Sequence, residues 1–333
     1  MSTDNKEVFQ EAQENLETWG IYKGINKPHT NIDNLPKAPP WRKKGIEKDK
    51  TFTPTDEERD IVNTALYLRR PILITGKPGI GKSALAKSIA YELGLGKVLE
   101  WHITTQSVLK DALYSYDAVA RLHDTSLDKM SKIVSKRRKQ ENIGKYITLG
   151  VIGTAFTSEK KRVVLIDEID KSNIDLPNNL LHILEENEFN IPELVRSSVT
   201  RHKVYTKDGS RVEVDNGKIE VTFDEESDNF PLIILTSNGE REFPPAFMRR
   251  CVHLHMKPRR KIEELEQIIK NHIPDLTDLE DLKEIIEEFS NKDIENDYLA
   301  IDQLLNRVFM KLKNVDIEKD TLLYDAIWKA LLV

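Results

Sequence analysis

The chain has 333 residues, of which 39% are hydrophobic and 32% are charged. This length exceeds what most chains bury in one compact core, so we expect one medium domain and a smaller companion. The composition is typical of a globular protein and excludes collagen-like, low-complexity and wholly disordered chains. The formal net charge of −6 argues against a dedicated nucleic-acid-coating protein, because no global positive field would attract phosphate.

Cysteine content and apolar runs indicate the cellular compartment in which the chain is expected to work. The single cysteine, Cys251, excludes an intramolecular disulfide and a cysteine-rich zinc site. Residues 1–14 are polar and lack the apolar core of a signal peptide, and no uncharged apolar run approaches the ~20 residues of a membrane helix. We therefore expect a soluble, cytoplasmic protein without membrane contact.

Residues 1–52 are expected to form an N-terminal arm or linker. An amphipathic segment at 8–19 is followed by a proline-rich stretch without periodicity. This arm either docks Trp19 and Trp41 on the body of the protein or carries a partner-binding motif. Docking is favoured, because proline-rich segments are most often connections.

Between residues 53 and 257 the sequence predicts strands and helices in alternation. The first helix begins near Thr55, where Glu58 three residues later completes a capping box. Short, uninterrupted apolar runs are typical of buried parallel strands. We expect strands at 71–75, 98–103, 162–166 and 232–236 and a helix at 83–93. This alternation predicts an α/β fold in which helices flank a parallel sheet on both faces.

Two segments exceed this simple alternation, and the last part of the chain departs from it. The interval after residue 103 is longer than one strand–helix unit needs, so we expect an insertion at about 104–150. Period-2 sequence with Asp208-Gly209 and Asn216-Gly217 turns predicts hairpins at about 204–223. Residues 258–333 show only helical periodicity, which predicts a small all-helical domain. Its helices are expected at 262–271, 279–289, 299–313 and 322–332.

One motif carries most of the functional information. It satisfies the pattern G-x-x-x-x-G-K-[ST] between a predicted strand and a predicted helix, the context that a phosphate-binding loop requires. Its glycines allow backbone conformations in which successive N–H groups converge on a phosphate at the positive end of a helix. Lys82 can supply a charge to the β and γ phosphate oxygens of ATP, and Ser83 can bind Mg²⁺. The candidate nucleotide-binding residues are Gly76, Lys77, Pro78, Gly79, Ile80, Gly81, Lys82, Ser83 and Ala84.

Two later strands end in polar residues that can complete such a site. One apolar run ends in Asp167 and Glu168. Asp167 is a candidate to hold Mg²⁺ beside the phosphate loop, and Glu168 is a candidate to polarise the attacking water. Another run leads to Asn238, whose amide can hydrogen-bond the γ-phosphate or the water, although such a residue taken alone is more often part of a turn. Together with the loop, these residues predict Mg²⁺-dependent ATP hydrolysis.

The motifs and their order resemble the AAA+ ATPase superfamily and, within it, the MoxR-like branch. The resemblance covers roughly residues 56–333 and rests on the stretches GKPGIGKS, VVLIDEID, LTSN, FPPAFMRR and LNR. It implies that Arg250, with Arg249 as the fallback, acts in trans on the nucleotide of a neighbouring subunit. It also implies that Arg307 contacts the γ-phosphate from a helical lid domain. The chain departs from the branch at Gly239, where members commonly carry proline, and in its unusually basic insertion.

The same resemblance implies a function and partners. It implies a Mg²⁺-dependent ATPase that forms a ring with copies of itself, expected to be a hexamer, with the insertion and the hairpin lining the central pore. Members of the branch usually act with a von Willebrand A-domain partner on a protein client. The implied function is therefore chaperone-like remodelling or assembly of a partner protein complex. A metal-chelatase-like role in cofactor insertion, an ATP-gated switch with little turnover and a nucleic-acid motor stay open as alternatives.

Two further clusters have simpler interpretations. The basic residues of the insertion could contact nucleic acid, but no aromatic side chain is interleaved to stack a base, so a solvated helix face is favoured. His253 and His255 share a strand face with Cys251, but no fourth ligand lies nearby and a zinc site is not favoured. The basic residues are Lys132, Lys136, Arg137, Arg138 and Lys139.

Overall fold

A computed structural model describes residues 20–42, 50–130, 143–223, 229–276, 278–292, 299–313 and 315. Four features of the sequence lie outside the described residues: the amphipathic segment at 8–19, Trp19, the basic cluster at 132–139 and the predicted helix at 322–332. The chain divides into two compact units, one formed by Phe52–Lys257 and the other by Met1–Thr51 together with Pro258–Val333. In the part that is described, no helix combines the length and apolar character needed to cross a bilayer.

The unit Phe52–Lys257 alternates helices and strands, as the sequence predicts. Its described helices are α1 (Asp56–Leu68), α2 (Lys82–Glu92), α3 (Leu109–Leu113), α4 (Ala118–Met130), α5 (Val151–Phe156), α6 (Leu176–Glu186), α7 (Pro192–Val195) and α8 (Pro245–Met248). Its described strands are β1 (Ile72–Thr75), β2 (Leu99–His102), β3 (Tyr114–Tyr116), β4 (Ile147–Leu149), β5 (Val163–Asp167), β6 (Glu188–Asn190), β7 (Arg201–Tyr205), β8 (Arg211–Asp215), β9 (Lys218–Glu220), β10 (Leu232–Ser237) and β11 (Val252–His255).

Local signals place the first helix where the sequence predicts it. The Thr55 side chain accepts a hydrogen bond from the Glu58 N–H, and the Glu58 carboxylate accepts one from the Thr55 N–H. This capping box satisfies two backbone donors at the start of α1. The helix ends at Arg69, which adopts the left-handed conformation that commonly terminates helices.

The central sheet has five strands in the order β11-β1-β10-β5-β2, and all four pairings are parallel. Its inner strands are apolar along their length because helices cover both faces. Ile72, Val164 and Ile234 are each 0% exposed. The sequence predicts strand character around His253 and His255 but not that this strand joins the central sheet as its edge strand β11, since VHLH alternates polar and apolar residues and resembles a half-exposed strand. Parallel pairing brings the carboxyl ends of β1, β5 and β10 to one edge of this sheet.

The insertion and the predicted hairpin combine into a second sheet, with the order β3-β4-β7-β8. The Asp208-Gly209 turn joins β7 and β8 as predicted. The hairpin predicted across Asn216-Gly217 is wrong, because β9 pairs with β6 and not with β8. This pairing places Ile219 opposite Phe189, and both side chains are buried in the core of the unit. Burial of two apolar side chains therefore decides where β9 pairs, and the local turn does not.

The second unit contains the helices α9 (Ile262–His272), α10 (Lys283–Lys292) and α11 (Ile301–Leu312). Their apolar faces meet in a core that includes Leu265, Ile286 and Leu304. Trp41 belongs to this core and packs edge-on against Phe309, with ring centroids 5.7 Å apart. Trp41 of the proline-rich stretch is thus docked, as the favoured interpretation of the arm predicts.

Candidate active site

The phosphate loop connects the end of β1 to the first turn of α2. Gly76, Gly79 and Gly81 have φ values of 147°, 76° and 99°, a region that side chains with a Cβ rarely adopt. At Gly76 a Cβ atom would also lie only 2.7 Å from the backbone oxygen of Met256. The loop backbone therefore requires glycine here and delivers its N–H groups at the positive end of an 11-residue helix.

Lys82 points back into the loop and is buried. Its ammonium donates to the Gly76 oxygen at 2.6 Å, to the Lys77 oxygen at 2.9 Å and to the Asn238 side-chain oxygen at 2.7 Å. Burial lowers the pKa of Lys82 to about 8, and the carboxylates of Asp170, Asp167 and Glu168 oppose this effect. A cation held by neutral oxygens in this way can exchange them for phosphate oxygens.

Ser83 and Asp167 lie together at the carboxyl edge of the sheet. The Ser83 hydroxyl donates to Asp167 Oδ1 at 2.8 Å, and Thr236 Oγ1 donates to the same oxygen at 2.5 Å. Asp167 Oδ2 lies 3.4 Å from His102 Nδ1. A carboxylate and a hydroxyl beside a phosphate loop form the oxygen-rich ligand set that Mg²⁺ prefers, so the residues present fit this ion.

Glu168 adopts a left-handed backbone conformation, with φ 61° and ψ 48°. Its N–H donates to Thr236 Oγ1 at 2.9 Å, which fixes the backbone at the end of β5. Its carboxylate receives Lys171 Nζ at 2.9 Å and Asn238 Nδ2 at 3.4 Å. A non-glycine residue in this conformation carries local strain, which concentrates at functional sites because the surrounding structure enforces it.

Asn238 brings these groups together, as the strand ends predict. It follows β10, and its amide lies between Lys82 and Glu168. Sequence analysis missed two residues of this network. Thr236 is 0% exposed, donates to the Asp167 carboxylate and accepts from the Glu168 N–H, and a threonine in an otherwise aliphatic buried run was the available signal. Asp170 is 5% exposed and accepts from the Asn238 N–H at 2.8 Å.

Arg250 lies away from this site. It precedes β11, whose residues pair in parallel with β1 from Ile72↔Val252 to Thr75↔His255. The phosphate loop follows the last of these pairs, at the carboxyl ends of the strands. Arg250 precedes the first pair, at their amino ends, so the loop and Arg250 lie toward opposite ends of these strands. Arg250 is 47% exposed in its side chain and forms an ion pair with Glu185 on α6. This placement separates Arg250 from the phosphate loop of its own chain.

The other candidate residues occupy varied places. Arg307 lies on α11 of the helical unit and is buried, and its assigned contact with the γ-phosphate stays a prediction. Cys251 is buried, and burial raises the pKa of its thiol to about 12, which disfavours the thiolate that binds metals. Across the described residues, no three His, Cys, Asp or Glu side chains cluster in a way that could hold a metal ion.

A glycine-rich loop at a helix start, with acidic and amide residues on adjacent parallel strand ends, defines a P-loop nucleotide-binding domain. Residues 71–251 match the family of AAA domains in the dynein-related subfamily. The match covers more than half of the chain, and the chain belongs to this family. No curated protein matches the sequence.

Several solved structures are similar to this chain at low identity. The RuvB Holliday junction branch migration motor of Thermotoga maritima is 16% identical, with 86% of this chain and 72% of that chain covered and a TM-score of 0.40. A complex of the magnesium chelatase subunits BchI and BchD is 14% identical, with 84% of this chain and 79% of that chain covered and a TM-score of 0.40. NtrX from Brucella abortus is 14% identical, with 83% of this chain and 55% of that chain covered and a TM-score of 0.44.

Proposed function

We propose that this chain is a Mg²⁺-dependent ATPase. The observation that carries the proposal is the network in which Lys82, Asn238 and Glu168 are joined by direct hydrogen bonds beside the Ser83–Asp167 pair. In this proposal Lys82 binds the phosphate tail and Glu168 acts on water. A purely structural turn would not require a buried lysine ringed by three acceptors.

Each residue has a distinct role in the proposed reaction. The loop N–H groups and Lys82 bind the β and γ phosphates, while Ser83 and Asp167 would hold Mg²⁺, which neutralises phosphate charge when bound. Glu168 accepts the proton of the attacking water, and Asn238 orients that water or the γ-phosphate. The leaving ADP and the transferred phosphoryl group stay in contact with Lys82 as charge moves between them.

A steady-state assay of phosphate release tests this proposal directly. We expect ATP turnover that requires Mg²⁺ and that Lys82→Ala abolishes, with loss of Mg-ATP binding in calorimetry. Lys87→Ala is the matched control, since Lys87 lies on the same helix and pairs with Glu100 at 3.3 Å. Wild-type protein that binds no ATP, or a Lys82→Ala variant that binds with unchanged affinity, would refute the assignment.

We further propose that the chain belongs to the MoxR-like branch and remodels a partner protein complex as a ring. The exposed Arg250 supports this, because it lies away from the phosphate loop of its own chain and its side chain is open to a neighbouring molecule. Arg307, a helical lid and a von Willebrand A-domain partner are parts of the same proposal. A Glu168→Gln trap should retain a protein client in ATP, whereas Glu168→Gln combined with Lys82→Ala should not. Retention that is equal in both variants would refute ATP-dependent client binding.

A further inference from the structure

Asp170 is a buried carboxylate that the reaction as described does not use. It lies in the short turn Ile169–Lys171, which directly follows Glu168, and it is 5% exposed. Burying a carboxylate is unfavourable unless hydrogen bonds compensate for the lost water. Its Oδ2 atom accepts from the Asn238 N–H at 2.8 Å and from the Glu240 N–H at 3.2 Å. Within the described part of the chain, no donor reaches the buried Oδ1 atom.

The two donors lie on either side of Gly239. This glycine has a φ of 81°, and a Cβ atom placed on it would meet nothing within 4 Å. Among the described residues, no neighbouring group therefore packs against the backbone on this side of Gly239, and glycine itself restricts the backbone conformation least of all residues. The Gly239 N–H donates to Ser237 Oγ at 3.0 Å, and the Asp170 carboxylate ties down the residues before and after it.

The Asn238 side chain depends on this backbone. Its oxygen lies 2.7 Å from Lys82 Nζ and its nitrogen lies 3.4 Å from Glu168 Oε1. The amide can contact both groups only while its Cα atom keeps its position. A shift of about 1 Å in a catalytic group is enough to slow a reaction strongly, so the position of this backbone matters. Hydrogen bonds to a carboxylate are about twice as strong as those to a neutral acceptor, which suits this task.

We propose that Asp170 is a positioning residue for ATP hydrolysis, whose carboxylate clamps the backbone on both sides of Gly239 and so aims the Asn238 amide between Lys82 and Glu168. This inference rests on the proposed ATPase function. Asp170 does not touch the substrate in this scheme and acts on the reaction through Asn238. Its removal should therefore resemble the loss of the Asn238 side chain.

A double-mutant cycle with full-length protein tests the proposal. We expect Asp170→Ala to lower kcat at least tenfold while KM for ATP changes less than about threefold, as expected for an interaction that matters in the transition state. Asn238→Ala should give a similar loss. The double variant should be no more than about twofold slower than Asn238→Ala alone, because the two residues act as one unit.

Asp170→Asn is the conservative control. One amide oxygen can accept the same two N–H groups, so this variant should retain at least about a third of wild-type kcat. Thermal melting checks folding, and Asp170→Leu, which fills the same volume without an acceptor, replaces Asp170→Ala if the latter is unfolded at the assay temperature. Multiplicative losses in the cycle, or wild-type kcat in the Asp170→Ala or Asp170→Leu variant, would overturn positioning while ATPase function stands. A wild-type protein without turnover would instead overturn the proposed function itself.

Discussion

The ammonium of Lys82 donates a 2.7 Å hydrogen bond to the side-chain oxygen of Asn238. This bond joins the phosphate loop that follows β1 to the polar end of β10. Two backbone oxygens of the loop, those of Gly76 and Lys77, complete the surroundings of the ammonium. Because phosphate oxygens compete for the same three donor protons, ATP binding should alter the contacts of Asn238 as well as those of Lys82.

The pH dependence of ATP binding follows from the burial of Lys82. Burial lowers the pKa of Lys82 from 10.5 to about 8, so above that pH the ATP-free site loses its ammonium charge. ATP favours the charged form, and binding then requires uptake of a proton. We expect affinity to fall as pH rises above about 8, by up to about tenfold per pH unit.

Calorimetry in two buffers of different ionisation enthalpy measures this proton uptake directly. The useful range is pH 7.5 to 9.5, where phosphate groups with a second pKa of about 6 are already ionised. A lysine with its ordinary pKa would stay protonated across that range. If affinity stays constant and no proton is taken up, Lys82 does not change its protonation state when ATP binds, and the prediction is wrong.

Glu168→Gln should separate binding from turnover. Glutamine keeps the shape of the side chain but removes the carboxylate that accepts the proton of water, so kcat should fall by a factor on the order of 10² or more. Mg-ATP affinity should stay close to that of the wild type. Glu92→Gln, at the exposed end of α2, is the matched control. Parallel loss of binding and turnover would mean that Glu168 has a structural role.

Sequence alone predicts the centre of this site well, for a topological reason. The phosphate loop motif is local, and the positions of Asp167 and Asn238 follow from one rule, that parallel strands end at the same sheet edge. Each of these residues is preceded by an apolar run that predicts its strand. The same apolar runs predict the α/β fold with a parallel sheet, and the structure confirms it.

The parts that sequence did not predict depend on contacts between distant segments. The pairing of β6 with β9 is decided by Ile219 and Phe189, which lie 30 positions apart in the chain. Local turn chemistry at Asn216-Gly217 is compatible with several pairings. Thr236 and Asp170 were missed because their partners are backbone N–H groups and a carboxylate that only the folded chain brings near. No periodicity records such contacts.

Thr236→Val tests the hidden hydroxyl of β10. Thr236 Oγ1 donates to Asp167 Oδ1 and accepts from the Glu168 N–H, so valine leaves both groups without this partner. We expect the free energy of unfolding to fall by about 1–3 kcal/mol, the usual cost of an unsatisfied buried group, and kcat to fall with it. Thr236→Ser keeps the hydroxyl and loses only a methyl group. Denaturant titration and turnover of the two variants should therefore differ, and equal values would contradict a role for the hydroxyl.

Arg250 should act on a neighbouring subunit. It lies toward the sheet edge opposite to its own phosphate loop, with an exposed side chain paired to Glu185. A cation supplied across an interface stabilises the charge on the transferred phosphoryl group, and arginine fingers of GTPases contribute ~10³ to 10⁵ in rate. Arg250→Ala should bind ATP yet hydrolyse it poorly. Specific activity of the wild type should rise with protein concentration as subunits associate.

Mixing two inactive variants gives the sharper test of this trans arrangement. Glu168→Gln subunits cannot activate water but still present Arg250, whereas Arg250→Ala subunits keep a working Glu168. Where the first kind docks beside the second, one complete site forms, so mixtures should recover ATPase activity that neither variant has alone. If light scattering shows mixed oligomers and activity stays absent, Arg250 does not act in trans, and the same mixing with Arg249→Ala and then Arg241→Ala identifies the residue that does.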